Sequence, residues 1–250
     1  MTTPCRVLKH ERGDGPWNMA LDEALLDSVA ADPSFAVVRT YSWSVPTLSL
    51  GYFQGIAEAE ADPRWRSSPV VRRPTGGGAL WHDLEVTYAV VVPSTHPATR
   101  PSSALYRAVH EAIAGRLREF GVDATRRGDL RPGSELALRP FLCFTDRDAD
   151  DIVVGDAKLV GSAQRRRSGA VLQHGSLLLA RSRTTPELPG LSDLAPVPDD
   201  PATWIEALQV LLPRSLGLPA RTDRLRPDER TRAEALRRDV YDQPNWTRRR

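Results

Sequence analysis

Asp151-Ile152-Val153-Val154-Gly155-Asp156-Ala157-Lys158-Leu159-Val160-Gly161-Ser162-Ala163-Gln164 reads as two strands, Asp151 to Val154 and Lys158 to Gln164, folded back on a tight turn at Gly155-Asp156. A third strand is expected over Ala170 to Leu179, so the segment forms a meander that runs into Gln173-His174-Gly175-Ser176-Leu177. Together with the two long helices expected elsewhere, these strands place the chain in the α+β class, with mixed sheets flanked by helices.

Working outward, Pro16 to Ala30 reads as a helix, with Leu21, Leu25 and Val29 four apart and Pro16 near the start. Phe35 to Trp43 and Thr47 to Tyr52 are β-branched and aromatic, and are expected strands. Val86 to Val92 is a strand too apolar to face water on either side. Pro101 to Phe120 is the clearest helix, with Leu105, Val109, Ile113, Leu117 and Phe120 on one face and Gly121 as its stop. A loop rich in Pro, Arg and Gly runs from about Arg126 to Pro140. Beyond Arg181 the chain is rich in Pro, Asp and Arg, with helices near Ala202 to Leu212 and Asp228 to Arg238 and few strand signals. Arg248-Arg249-Arg250 reads as a frayed tail.

Arginine supplies 32 of the 34 basic residues, and only Lys9 and Lys158 are lysines. A composition so biased would have put arginine at 158. Lysine differs in being a compact point donor that can lose its proton when desolvated, whereas guanidinium stays charged and forked. Lys158 therefore marks a place where the ammonium itself matters. A second signal is Val71-Arg72-Arg73-Pro74-Thr75-Gly76-Gly77-Gly78-Ala79-Leu80-Trp81-His82-Asp83. Consecutive glycines permit positive φ and close approach of backbone to a ligand, and their N–H groups can form an anion-binding nest. Arg72 and Arg73 would supply forked donors to a phosphate or carboxylate. The plainer reading is a glycine-rich hairpin beside a solvated arginine pair, and the loop matches neither standard phosphate-loop spacing.

The 250-residue chain is nearly balanced in charge, with 34 basic and 32 acidic residues, and has ordinary hydrophobic content, so a full core can form. No apolar run approaches the roughly 20 residues needed to span a bilayer, and Met1 to Arg6 carries no apolar signal segment. A cytoplasmic protein with no membrane association is expected. Cys5 and Cys143 make no disulfide framework, and scattered histidines give no metal-ligand spacing. Specific nucleic-acid binding is not expected, because net charge is only +2 and no basic–aromatic motif is present.

Taken in order, Asn18-Met19-Ala20-Leu21-Asp22-Glu23, then Trp43, Pro46, Gly51 and Gln54, then Arg72 to Asp83, Lys158 to Gln164, and Leu172 to Ser176 resemble the lipoate–protein ligase and octanoyltransferase family of the biotin/lipoate ligase superfamily. The resemblance implies a biotin/lipoate ligase-type catalytic domain over residues 1–180, with a tunnel for a medium-length acyl chain. Residues 181–250 would then be a helical extension packed on it, short of a full accessory domain. It also implies that Arg72, Arg73, Gly76, Gly77 and Gly78 embrace the activated acyl head and that Lys158 contacts the acyl carbonyl. His82, Gly161, Ser162 and Ala163 would line the pocket further. Preorganised donors and a cation beside that oxygen suit acyl transfer, which builds negative charge there. Gln173 and His174 match the family pattern without an assigned role, and His174 reads equally as a satisfied core histidine.

The family holds two chemistries. A ligase activates lipoate with ATP and Mg²⁺ through an adenylate. A transferase passes octanoyl from acyl carrier protein through its own cysteine to a lysine of a lipoyl domain, such as glycine cleavage H protein or a 2-oxoacid dehydrogenase E2, with no cofactor. Phe141-Leu142-Cys143-Phe144 resembles the cysteine-dependent branch, in which this cysteine is the nucleophile; the plainer reading is a small buried hydrophobe. The fold is expected to bring Cys143 beside Lys158, whose charge favours a thiolate. Cys5 is expected to be inert. The short C-terminal segment and Leu84 to Tyr88 also fit the transferase branch. Gly78, where many transferases of this branch carry arginine, fits the ligase form, and Thr145-Asp146-Arg147-Asp148 replaces the usual residues after the cysteine. Arg165-Arg166-Arg167 would steer acidic carrier domains, or is a solvated hairpin end. A silent acyl-binding relative and a biotin ligase are the remaining alternatives, disfavoured by Cys143 with Lys158 and by the glycine loop.

Overall fold

A computed structural model describes residues 3–129, 140–145, 148–167, 169–198 and 200–249. The expected loop from Arg126 to Pro140 lies largely outside these residues, as do Asp146, Arg147 and Arg250. The strands are β1 (Cys5–Leu8), β2 (Glu11–Gly13), β3 (Ala36–Trp43), β4 (Thr47–Leu50), β5 (Val70–Arg72), β6 (Leu80–His82), β7 (Glu85–Pro93), β8 (Ala124–Arg126), β9 (Ile152–Val154), β10 (Ala157–Arg167), β11 (Ala170–Leu178) and β12 (Ala220–Asp223). The helices are α1 (Gly15–Ala31), α2 (Ala57–Ala61), α3 (Ala104–Glu119), α4 (Leu191–Leu194), α5 (Pro201–Ser215), α6 (Pro227–Leu236) and α7 (Pro244–Thr247).

The main sheet runs β12-β1-β3-β7-β11-β10-β9-β8, with β2 also on β3. It is parallel among β12, β1 and β3 and antiparallel from β3 onward. β7 lies inside this sheet and every residue in it is buried, as its unbroken apolar run requires. Its pleat divides it between two cores. Val86, Tyr88, Val90 and Val92 face Leu105, Val109, Ile113 and Leu117 of α3 and Trp204, Leu208 and Leu212 of α5. Ala89 and Val91 face Leu21, Leu25 and Val29 of α1 and Ala233 and Leu236 of α6. A separate sheet, β5-β4-β6, carries the glycine triplet between β5 and β6.

The strongest sequence patterns became elements close to their expected limits. Asp14 caps α1 by accepting from Trp17 N at 2.9 Å. Gly121 ends α3 in the left-handed region, φ 80°. Gly155 turns the β9–β10 hairpin at φ 55°. α3 starts at Ala104 rather than Pro101.

Two expectations for the C-terminal part are corrected. The scarcity of strand signals there concealed β12, which pairs in parallel with β1. It is a short, polar edge strand, so alternation gave no warning. Of the expected frayed tail, the described residues Arg248 and Arg249 are docked instead: Arg248 pairs with Glu60, and the Arg249 guanidinium lies 4.3 Å from the Tyr52 ring centroid and 4.7 Å from that of Trp246. β1 is fastened to this region by a buried arginine. Arg6 pairs with Glu229, donates to Asp223 Oδ2 at 2.7 Å, and donates to the Arg224 carbonyl at 3.0 Å. Deleting one member of a buried pair leaves an uncompensated charge, which costs about 3–5 kcal/mol. Arg6→Ala is expected to lower unfolding free energy by about that much, read from the shift in denaturation midpoint; a change under about 1 kcal/mol would show the network to be dispensable.

Candidate active site

The site is built around three stretches that ordinary loop physics would leave unsupported. The glycine loop is held from beneath by Arg73, which donates to Gly76 O at 2.7 Å, Gly78 O at 2.6 Å and Ser49 O at 3.1 Å. Gly77 sits at φ 89°. Gly51 presses so closely on it that a Cβ there would stand 1.9 Å from Gly77 O. Gly78 meets the cysteine loop: a Cβ would lie 3.0 Å from Cys143 N and 3.1 Å from Phe141 O. Two backbone bonds staple the loops together, Ala79 N to Phe141 O and Cys143 N to Ala79 O, each 2.7 Å. The third glycine of the triplet thus lies in tight contact with the cysteine loop.

Lys158, on β10, is buried beside that loop. Its ammonium donates to Asp151 Oδ2 at 2.7 Å and to Cys143 O at 3.1 Å, and stands 3.6 Å from Cys143 Sγ. The Phe144 ring centroid is 5.2 Å away. Burial opposes the lysine's charge, but Cys143 and Asp151 outweigh it and hold the ammonium above its usual range. Asp151 responds to the same burial: its carboxyl is pushed up to about 6, with Lys158 and the Asp148 N–H opposing the rise. Gly161 leaves room for the amine, since a Cβ there would be 2.7 Å from Lys158 Cε.

A narrow cavity opens at Cys143, with about 470 Å³ of space between atoms including its mouth. Cys143, Arg73, Gly77, His82, Gly161, Ser162 and Ala163 line it, and Met19, Tyr41, Leu80 and Phe144 supply apolar wall. Lys158 reaches it through Cys143. Arg72 is placed differently from expectation. It is neither solvated nor on the cavity wall, and its fork donates to Gly51 O at 2.8 Å, Gln54 O at 2.6 Å and Thr247 O at 2.7 Å. The arginine pair therefore braces carbonyls, although both members were expected at an anion.

Further polar residues form a rigid base. Asp22 accepts from Arg39 at 3.0 Å, Tyr41 at 2.9 Å and His174 Nδ1 at 2.8 Å, and His174 Nε2 meets Thr75 Oγ1 at 2.7 Å. This gives Asp22 and His174 a structural part. His82 bonds Glu85 at 2.6 Å and Ser49 at 2.8 Å and stacks on Trp43 at 3.7 Å; burial pushes its pKa down against Glu85. Cys5 is fully buried and its thiol is pushed up to about 12 by burial, far from the site. Arg167 is paired with Glu23 and Asp27, Arg166 donates to Thr99 O at 3.1 Å, and Arg165 lies 5.3 Å from the Tyr52 ring centroid. Sequence reasoning passed over Asp151, read only as a strand start. Its signal was an acidic residue seven before a lone lysine, across a hairpin whose register returns one toward the other.

The buried pair yields a signed prediction. Asp151 has a folded pKa near 6 against the ordinary 3.8, so the folded state holds the proton more tightly. Its contribution to stability is then greatest below pH 3.8 and is lost as pH rises toward 6. Wild type minus Asp151→Asn stability should therefore fall between pH 4 and 6.5; a flat difference in chemical denaturation would refute the assignment. Gly161→Ala should displace Lys158 from Asp151 and Cys143 and slow any reaction at Cys143 by about 10²-fold. Unaltered acylation of Cys143 by octanoyl thioesters would refute that.

Comparison with known proteins agrees with this architecture. The lipoyl protein ligase A/B catalytic domain family matches residues 14–185. The octanoyltransferase LipM of Kyrpidia tusciae is 36% identical over 258 aligned positions, covering 92% of this chain and 94% of that protein. That of Symbiobacterium thermophilum is 32% identical, with 100% of each chain covered. Among solved structures, lipoate-protein ligase A bound with ATP superposes with a TM-score of 0.78 at 26% identity, covering 98% of each chain. The chain belongs to the lipoyl protein ligase A/B catalytic domain family.

Proposed function

We propose that this protein is an octanoyltransferase of protein lipoylation. It takes an octanoyl group from acyl carrier protein onto Cys143 and delivers it to a lysine of a lipoyl domain. The observation that carries the reading is Cys143 Sγ at 3.6 Å from a buried ammonium, at the mouth of a narrow, partly apolar cavity. Whole-length similarity to octanoyltransferases supports it.

In the first step the Cys143 thiolate attacks the carrier thioester. A new S–C bond forms, the carbonyl pair moves to oxygen, and collapse expels the carrier thiolate. Lys158 stabilises the sulfur anion before attack and negative charge on oxygen during it, the electrostatic arrangement that acyl transfer requires. Met19, Tyr41, Leu80 and Phe144 exclude water from the chain. The second step reverses the roles: the acceptor amine attacks the octanoyl-cysteine and Cys143 leaves as thiolate, again beside Lys158. Neither step needs ATP or a metal. Arg165, near the β10–β11 turn and beside Tyr52, is suited to an acidic carrier or lipoyl domain.

The second reading is ATP-dependent ligation through an adenylate, favoured by Gly78 and by the likeness to a ligase bound with ATP. The two are separated by intact mass after incubation with octanoyl-acyl carrier protein without ATP. An octanoyl adduct mapping to Cys143 and discharged by a lipoyl domain is expected, and Cys143→Ser should lower transfer on the order of 10³-fold or more. Undiminished transfer by the variant, or modification only with ATP and free acid, would overturn the proposal.

A further inference from the structure

The cavity at Cys143 has a floor that the strand register lays out in a line. Gly161 on β10 pairs with Ser176 on β11, Ser176 with Thr87 on β7, and Thr87 with Tyr41 on β3. All four line the cavity, which therefore runs across the strands along one row of directly opposed residues. Thr87 alternates with Ala89 and Val91, so the row lies on the face of the sheet that α1 covers.

The reacting end is fixed at Gly161. A Cβ there would lie 3.1 Å from Lys158 Nζ, and that ammonium stands 3.6 Å from Cys143 Sγ. The far end is closed by Tyr41 and Met19. Tyr41 is fully buried, its hydroxyl donates to Asp22 Oδ2 at 2.9 Å, and the Arg39 guanidinium lies 4.0 Å from its ring centroid. Held at its tip and on its face, the ring is a fixed wall. Met19 lines the cavity from α1, three residues before Asp22 and on the same helix face. Between the two ends the hydroxyls bond the framework. Thr87 Oγ1 accepts from the Trp43 indole at 2.9 Å and donates to Glu85 at 2.6 Å, and Ser176 donates to Glu85 at 3.0 Å. Their hydrogens are engaged by the protein and make no demand on an alkyl occupant.

We propose that Tyr41, with Met19 beside it, is the end wall that limits the acyl chain to the length of octanoyl. The inference rests on the transferase reading and adds to it the residues that measure the donor. Neighbouring strands stand about 4.8 Å apart, so the row is about 14 Å long from Gly161 to Tyr41, and an extended octanoyl chain, about 9 Å from carbonyl carbon to methyl, spans two of its three steps. With the carbonyl at Gly161, the methyl arrives at Thr87. Two further methylenes carry a chain into the third step, where the Tyr41 ring stands. A shorter chain leaves part of the floor uncovered and loses apolar contact.

The test follows charging of Cys143 by intact mass in the full-length protein. Hexanoyl-, octanoyl- and decanoyl-acyl carrier protein are compared, each rate being expressed relative to octanoyl. In wild type, decanoyl should be about 10-fold slower than octanoyl. Met19→Ala and Tyr41→Leu remove atoms of the wall and should raise the decanoyl-to-octanoyl ratio about 10-fold, whereas Met19→Phe should lower it and favour hexanoyl. Tyr41→Phe loses the bond to Asp22 but keeps the ring, so it should retain the wild-type length profile. Met19→Ala removes no hydrogen-bonding group and remains informative if Tyr41→Leu fails to fold. An unchanged profile in Met19→Ala, or a shift in Tyr41→Phe equal to that in Tyr41→Leu, would overturn the wall. Failure of wild type to charge without ATP would instead sink the transferase reading. The same series is then read with ATP and free acids, and the wall stands or falls on the same shifts.

Discussion

The interaction on which the site depends is the buried ammonium of Lys158. An ammonium taken out of water costs several kcal/mol, repaid only by close, well-aligned partners. Here the partners are Asp151 Oδ2 at 2.7 Å and Cys143 O at 3.1 Å. They come from separate places: Asp151 precedes β9, and Cys143 lies on a loop stapled to the glycine triplet. The lysine can be charged and buried only when hairpin, cysteine loop and glycine loop are assembled together. Its position beside Sγ is therefore set by tertiary structure and cannot be supplied by any one segment.

The arginines solve a second problem. The loops at 51–54 and 76–78 and the last turn of α7 have carbonyls that no ladder satisfies, and buried carbonyls must be paired. Arg72 and Arg73 gather them: Arg73 holds the glycine loop and Arg72 holds 51–54 to the C-terminal turn. A guanidinium suits this work because its fork reaches several oxygens at once and stays charged when buried. The last residues thereby become part of the scaffold, since Trp246 also donates from its indole to Arg72 O at 2.9 Å.

Much of this was legible in the sequence because it rests on local rules. The α3 face, the unbroken run in β7 and the Gly155 turn each follow from periodicity or backbone freedom. Lys158 stood out because arginine surrounded it, and the glycine triplet because few other needs explain three in a row. What was not legible depends on partners far away in the chain. Arg72 looked like a ligand for an anion because its acceptors, Gly51 and Thr247, carry no mark in sequence. β12 was hidden because an edge strand with Arg221 and Asp223 pairs through its backbone alone. His110 carries no mark in the α3 sequence, since the Asp150 carbonyl that it bonds lies 40 residues on.

The site also sorts charge by the chemistry each half needs. At the cysteine loop, Cys143 and Asp151 hold the Lys158 ammonium above its usual range against burial, whereas burial lowers the Arg73 guanidinium despite its carbonyl partners. The imidazoles nearby, His82 and His110, are buried as deeply, yet burial prevails over Glu85 and the Asp150 carbonyl and keeps them neutral. One low-dielectric region thus holds a fixed positive charge, where sulfur and oxygen become negative, beside imidazoles that add no second charge. A solvated site could not keep both: water would screen the ammonium and let a histidine near 6.5 titrate in the working range. Exclusion of water by the cavity wall is accordingly a condition of the electrostatics as well as of acyl-chain binding.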